Sequence, residues 1–192
     1  MRKRAFTLIE VMVTIAAVAI VLPTIFSIFY VILQQQSKIS KLAEVKRQGD
    51  YAMSAMENII RDNAVKILDD SAIPEQVVCD SPNSSDNGDG TLSFADKYGN
   101  KFGFYGSPTM IDPHTEPLAG FPTPPFSLDI LTTDSVVFSS PLTMSCTKED
   151  VYTAPIVKIA FTIDYNTSSA RPEDQVSLPY ETSVALRNFG TP

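Results

Sequence analysis

A chain of 192 residues with 15 Lys+Arg against 22 Asp+Glu carries a formal charge of −7 and is 44% apolar, a length that fits one ordinary domain plus an appendage. The balance excludes a multi-pass membrane protein, a disordered acidic tail and a basic nucleic-acid-binding domain. One His, two Cys and no Trp leave little material for a metal cage or a disulfide-dense scaffold.

The chain opens Met-Arg-Lys-Arg-Ala and then turns greasy: 22 of the 28 residues from Phe6 to Leu33 are apolar. From Val11 to Leu33 a helix spans about 34 Å at roughly 1.5 Å per residue, enough to cross a hydrocarbon core of about 30 Å once. A cleavable secretory signal has a shorter apolar core followed by a small-residue cleavage site. Here the small residue, Ala5, precedes the run, which argues that the run is retained. Basic residues flank both sides, with Arg2, Lys3 and Arg4 before the span and Lys38, Lys41, Lys46 and Arg47 after it, so charge alone barely sets the orientation. The short leader and the large remainder favour placing the remainder outside. Glu10 stands inside the apolar run, where a carboxylate costs roughly 2.5 kcal/mol or more, so it either snorkels to the interface or has a functional partner. Pro23 predicts a bend or local unwinding within the span.

Arg-Lys-Arg-Ala followed by Phe6-Thr7-Leu8-Ile9-Glu10 resembles the class III signal of type IV pilins and of the pseudopilins of type II secretion systems. Ala5 stands where that family usually has Gly. The resemblance implies that a prepilin peptidase cuts on the cytoplasmic side between Ala5 and Phe6, that the new amino terminus of Phe6 is N-methylated, and that the apolar segment stays. It also implies that Glu10 pairs with the Phe6 amino group of a neighbouring subunit during assembly. Both charges would otherwise sit unpaired in low dielectric.

From Gln34 to Asp70 the composition becomes charged. Apolar residues recur at Ile39, Leu42, Val45, Ala52, Met56, Ile59, Ile60, Ala64 and Ile67, mostly in steps of three and four, which predicts an amphipathic helix continuous with the span. Phe6 to Leu68 as one helix measures about 95 Å. Gly49 and Asp50 are expected to soften it, and Asp69-Asp70-Ser71 to end it. The basic cluster Lys38 to Arg47 reads as a solvated face in preference to a headgroup contact. A coiled-coil pair is the weaker use of the irregular apolar stripe.

Past residue 70 the pattern alternates. Leu92 and Phe94, then Phe102 and Phe104, flank a Gly-containing turn at 96–100 and predict a hairpin. Val136 to Cys146 reads as a strand that Pro141 bends or confines to an edge. Val157 to Tyr165 and Val176 to Leu186 alternate cleanly and form an antiparallel pair joined by a polar loop at 166–174. The expected fold is α+β, a long N-terminal helix, transmembrane in its first half, packed on an antiparallel β-sheet. The domain plan is a leader at 1–5, a membrane or filament-core helix at 6–33, an amphipathic stem at 34–70 and a sheet domain at 71–192. This is also the pilin arrangement, and Thr182 to Asn188 looks like the last strand of minor pilins and pseudopilins.

Pro108 to Pro125 holds six prolines in 18 residues and predicts a surface excursion over the sheet, not a central strand. In Ser81 to Thr91, Ser85, Asn87 and Asp89 alternate and Asp96 follows at the place of a terminal carboxylate, a weak calcium-loop pattern set against the favoured reading of a polar hairpin loop. Cys79 and Cys146 read as a disulfide closing 67 residues of chain, with two buried free thiols as the alternative. His114, the single imidazole, reads as a loop residue. No nucleophile elbow, phosphate loop, metal spacing or cofactor motif is present, which points away from an enzyme. The resemblance instead implies a minor pilin or pseudopilin, with other pilin subunits, the prepilin peptidase and inner-membrane lipid as partners and no direct contact with nucleic acid. A single-span anchor, left uncut and displaying a binding domain, is the alternative.

Overall fold

The computed structural model describes residues 7–69, 76–86, 92–106, 111–116, 119, 135–172 and 174–187. One helix, α1 (Leu8–Asn63), runs 56 residues, roughly 84 Å at 1.5 Å per residue. Thr7 caps its start with extended backbone, and its hydroxyl accepts the Glu10 N–H at 3.4 Å. Pro23 lies inside α1 without interrupting it, so the span is not unwound there. The Thr24 hydroxyl donates to the Val21 carbonyl at 2.7 Å beside it.

The helix ends five residues earlier than the apolar spacing predicts. Ala64 has extended backbone and donates to the Ile60 carbonyl at 2.9 Å. Beyond it, Ile67 and Leu68 are not a last helical turn; they belong to β1 (Lys66–Asp69), which pairs with a strand on each side. Two-sided pairing satisfies the backbone that the helix would otherwise have satisfied, and it buries Ile67 completely.

The single expected sheet is two antiparallel sheets. The first has the order β2-β1-β4-β5-β6, with β2 (Gln76–Val78), β4 (Leu92–Ala95), β5 (Lys101–Gly106) and β6 (Ile111–Glu116). The second has the order β3-β7-β8-β9, with β3 (Ser84–Asp86), β7 (Val136–Lys148), β8 (Ile156–Tyr165) and β9 (Ser177–Ala185). The predicted hairpin is β4–β5: Phe94 and Phe102 stack with ring centroids 5.5 Å apart. Its turn is organised by the Asp96 carboxylate, which accepts from the N–H groups of Tyr98 and Asn100, each at 2.8 Å, while Gly99 takes φ 86°.

The proline-rich stretch contains more than an excursion, because residues 111–116 form β6 at the edge of the first sheet, the position where a strand tolerates proline. His114 therefore lies on a strand and not in a loop. Pro141 sits in β7 within the register irregularity between Ser140 and Thr143, which follows another between Phe138 and Ser140. Val157, Ile159, Phe161 and Ile163 of β8 turn inward and are buried. They join Met56, Ile60, Ile67, Phe94 and Phe102 in one core shared by the helix and both sheets.

Candidate functional site

Every residue of α1 from Leu8 to Leu33 is exposed, including Leu8 at 79%, Ile20 at 72% and Phe26 at 69%. That apolar surface covers all sides of the helix, so no packing within the chain accounts for it. The segment is long and apolar enough to cross a membrane by length and composition. Glu10 lies in the first helical turn, where the dipole favours a carboxylate. The Thr14 hydroxyl returns to the Val11 carbonyl at 2.8 Å, which leaves that side chain's donor satisfied in an apolar surround.

The docked half of α1 begins later than the sequence spacing implies, since Ile39 and Leu42 remain exposed. Lys41 is the first fastening. Its ammonium pairs with Asp174 and lies 5.5 Å from the centre of the Tyr165 ring. One turn on, Glu44 accepts from Arg47 at 2.8 Å, from Gln48 at 3.0 Å and from the Ser135 hydroxyl at 3.5 Å. The Arg47 hydrogen bond, aided by Gln48, holds the Glu44 carboxyl below its ordinary range, and Lys41 followed by Ser169 does the same for Asp174.

Tyr180 of β9 crosses the helix at Gly49, and its hydroxyl donates to the Lys46 carbonyl at 3.1 Å. Burial, then the nearby Asp50 charge, pushes the Tyr180 phenol up to about 12. Further along, the Thr182 hydroxyl donates to Glu57, and Arg187 pairs with Asp62 at 3.7 Å. The helix thus divides into an unpartnered apolar half and a half fastened along β9, with the change near Lys41.

Residues 1–22 match the family model of the prokaryotic N-terminal methylation motif. The chain carries the class III signal of type IV pilins and pseudopilins. No curated protein and no solved structure matches it. The helix-on-sheet arrangement of this pilin-like chain agrees with the α+β fold that the signal implies.

Within the pilin-like chain, Ala5 and Phe6 lie outside the described residues, and Glu10 is the described member of the expected assembly pair. Cys79 and Cys146 are joined as a disulfide with Cα atoms 6.2 Å apart. The bond links the residue just after β2 in one sheet to β7 in the other. Of the calcium-loop residues, Asn87 and Asp89 lie outside the described residues. Ser85 is in strand β3 and Asp96 is engaged in its own turn. Among the described residues no group of three or more His, Cys, Asp and Glu is placed to hold a metal. Gly49, expected to soften the helix, is a buried contact point. A lone glycine in a helical pattern does signal close packing, but its partner, Tyr180, is 131 positions away.

Proposed function

We propose that this chain is a minor pilin or pseudopilin, a structural subunit that assembles into or caps a type IV pilus or a secretion pseudopilus. It is made as a precursor with its amino terminus in the cytoplasm and its sheet domain outside, and α1 holds it in the inner membrane. The prepilin peptidase cuts between Ala5 and Phe6, and Phe6 is N-methylated. The observation that carries this reading is the methylation motif at residues 1–22 running directly into a helix exposed and apolar on all sides.

The mechanism is transfer of that helix from lipid to a filament interior. Both surrounds are apolar, so the exchange needs no exposure of Leu8 to Leu33 to water, and close helix packing supplies the gain. Glu10 gives the transfer its register, because its carboxylate meets the Phe6 ammonium of a neighbour. Removing one member of such a buried pair leaves an uncompensated charge, a loss of about 3–5 kcal/mol. Cleavage removes Arg2, Lys3 and Arg4, so the side-chain sum passes from 15 − 22 = −7 to 12 − 22 = −10.

Two measurements on cells with an active prepilin peptidase test the reading. Mass spectrometry of the membrane-bound protein is expected to find methylated Phe6 as the first residue, whereas intact Met1 to Ala5 supports the uncut anchor instead. Glu10→Ala is expected to be cut and folded normally yet absent from sheared filaments, and normal incorporation removes the role given to Glu10.

A further inference from the structure

Helix α1 and strand β9 run in the same direction, from the Lys41–Asp174 pair, past Tyr180 at Gly49, to Arg187 beside Asp62. Ala185 pairs in register with Ile156, so the turn between β7 and β8 lies at the end of the domain where α1 finishes. Lys41 marks the opposite end, about 32 Å back along the helix from Asp62.

The far turn holds two apolar side chains out in water. The Asp150 carboxylate accepts the Val151 N–H at 2.6 Å. The Thr153 hydroxyl accepts the Asp150 N–H at 3.0 Å and donates to the Asp150 carbonyl at 3.1 Å. These bonds fix the turn without the side chains of Val151 and Tyr152, at positions where Gly, Asn, Asp or Ser is usual. Tyr152 is 95% exposed and Val151 60%. Exposed Glu149 and Asp150 precede them and make the knob acidic. A tyrosine has few side-chain torsions to immobilise, which suits it to anchor a contact.

The near end carries the complement. Lys38, Leu42, Val45, Gly49 and Met53 step by three or four and share one helix face. Val45, Gly49 and Met53 are buried, whereas Leu42 and Lys38 stand exposed where the helix leaves the domain, with exposed Ile39 and Lys46 alongside. The docked face of α1 thus continues beyond the domain as an apolar strip with an ammonium at each end.

Knob and strip lie at opposite ends, so they cannot meet within one chain. Two copies standing in one bilayer cannot join them either, because both enter the lipid by the same end and at the same height. We infer that residues 149–152 of one copy seat against residues 38–46 of a second copy displaced outward by about 32 Å. Glu149 and Asp150 then face Lys38 and Lys46, while Val151 and Tyr152 cover Ile39 and Leu42. Contact between unlike ends is heterologous and repeats without closing. The inference rests on the assembly reading and names the contact that separates a subunit drawn out of the membrane from one still in it.

Benzoylphenylalanine at position 152 of the full chain, an exposed site that leaves the fold undisturbed, supplies the test. Cells with an active prepilin peptidase make the protein, and sheared filaments and membranes are irradiated separately. Filaments are expected to yield a covalent dimer of this chain, with position 152 of one copy joined to residues 38–46 of the other by mass spectrometry. Membranes are expected to yield none. Glu149→Lys is expected to lower the dimer yield about fivefold, and adding Lys38→Glu and Lys46→Glu to restore it. The inference is overturned, with assembly left standing, if the chain is in filaments but forms no dimer. The same holds if position 152 joins lipid, another protein or a different segment, if membranes give an equal yield, or if the charge reversals leave the yield unmoved. A chain absent from filaments overturns both readings.

Discussion

A Cβ at Gly49 would lie 2.2 Å from Cζ of Tyr180 and 2.5 Å from its hydroxyl oxygen. On an exposed helix face, replacing glycine by alanine gains about 1 kcal/mol. Here the gain is reversed, because the Tyr180 ring is held from behind by Phe161, stacked at 5.4 Å, and from its tip by the Lys46 carbonyl. The methyl group must push the ring out of both contacts, an overpacking cost of about 1–3 kcal/mol. Gly49→Ala is therefore expected to lower the urea midpoint of the full chain in detergent. The same substitution in a Tyr180→Ala background is expected to be neutral or stabilising, since the obstructing ring is gone. If the two backgrounds respond alike, the ring is not what position 49 accommodates.

At the scale of elements, the parts of the fold legible in the sequence are those set by near neighbours. The apolar run after Phe6, the alternation of β8 and the turn at Asp96 all depend on residues a few positions apart. Helical spacing runs past the end of α1 for the same reason: Ile60, Ala64 and Ile67 keep it, and the distant pairing of β1 with β4 is what puts residue 67 in a strand. The division into two sheets and the Lys41–Asp174 pair, 133 positions apart, follow from register between remote segments and leave no local trace. That pair and Glu44 make the seam at the base of the docked helix sensitive to acid. The folded-state carboxyls of Glu44 and Asp174 lie below their ordinary values of 4.5 and 3.8. Their contribution is thus complete above those values and is lost as pH falls through the lower, folded ones. Both sites are near solvent, so the expected outcome is fraying of the seam with the core intact. Amide protection, corrected for intrinsic exchange, is expected to drop for residues 41–48 below about pH 4 while Met56 to Ile60 stay protected. Lys41→Ala should show part of that drop already at neutral pH, and equal loss along the whole helix would contradict the seam.

Across the whole molecule, two sheets and a helix share one core, and residues 79–83 lead from the first sheet to the second. That segment is tied to the end of β7 by the Cys79–Cys146 bond, by the Lys148 ammonium donating to the Asp80 carbonyl at 2.8 Å and by the Asn83 N–H donating to the Glu149 carbonyl at 3.3 Å. The bond closes 67 residues of chain, a loop that contains β3, β4, β5 and β6. On the chain-entropy account, cross-linking a loop of that length removes about 4 kcal/mol of freedom from the unfolded chain. The paired substitution Cys79→Ser, Cys146→Ser is expected to lower unfolding stability by about 2–4 kcal/mol, read as a lower urea midpoint with the slope increased by the more expanded unfolded state. The effect belongs to the sheet domain and not to the anchor, so membrane insertion and removal of Met1 to Ala5 are expected to proceed unchanged in the same variant. A variant as stable as the parent would place the fastening of the two sheets in the shared core alone, and a variant that fails to insert would contradict the separation of anchor from domain.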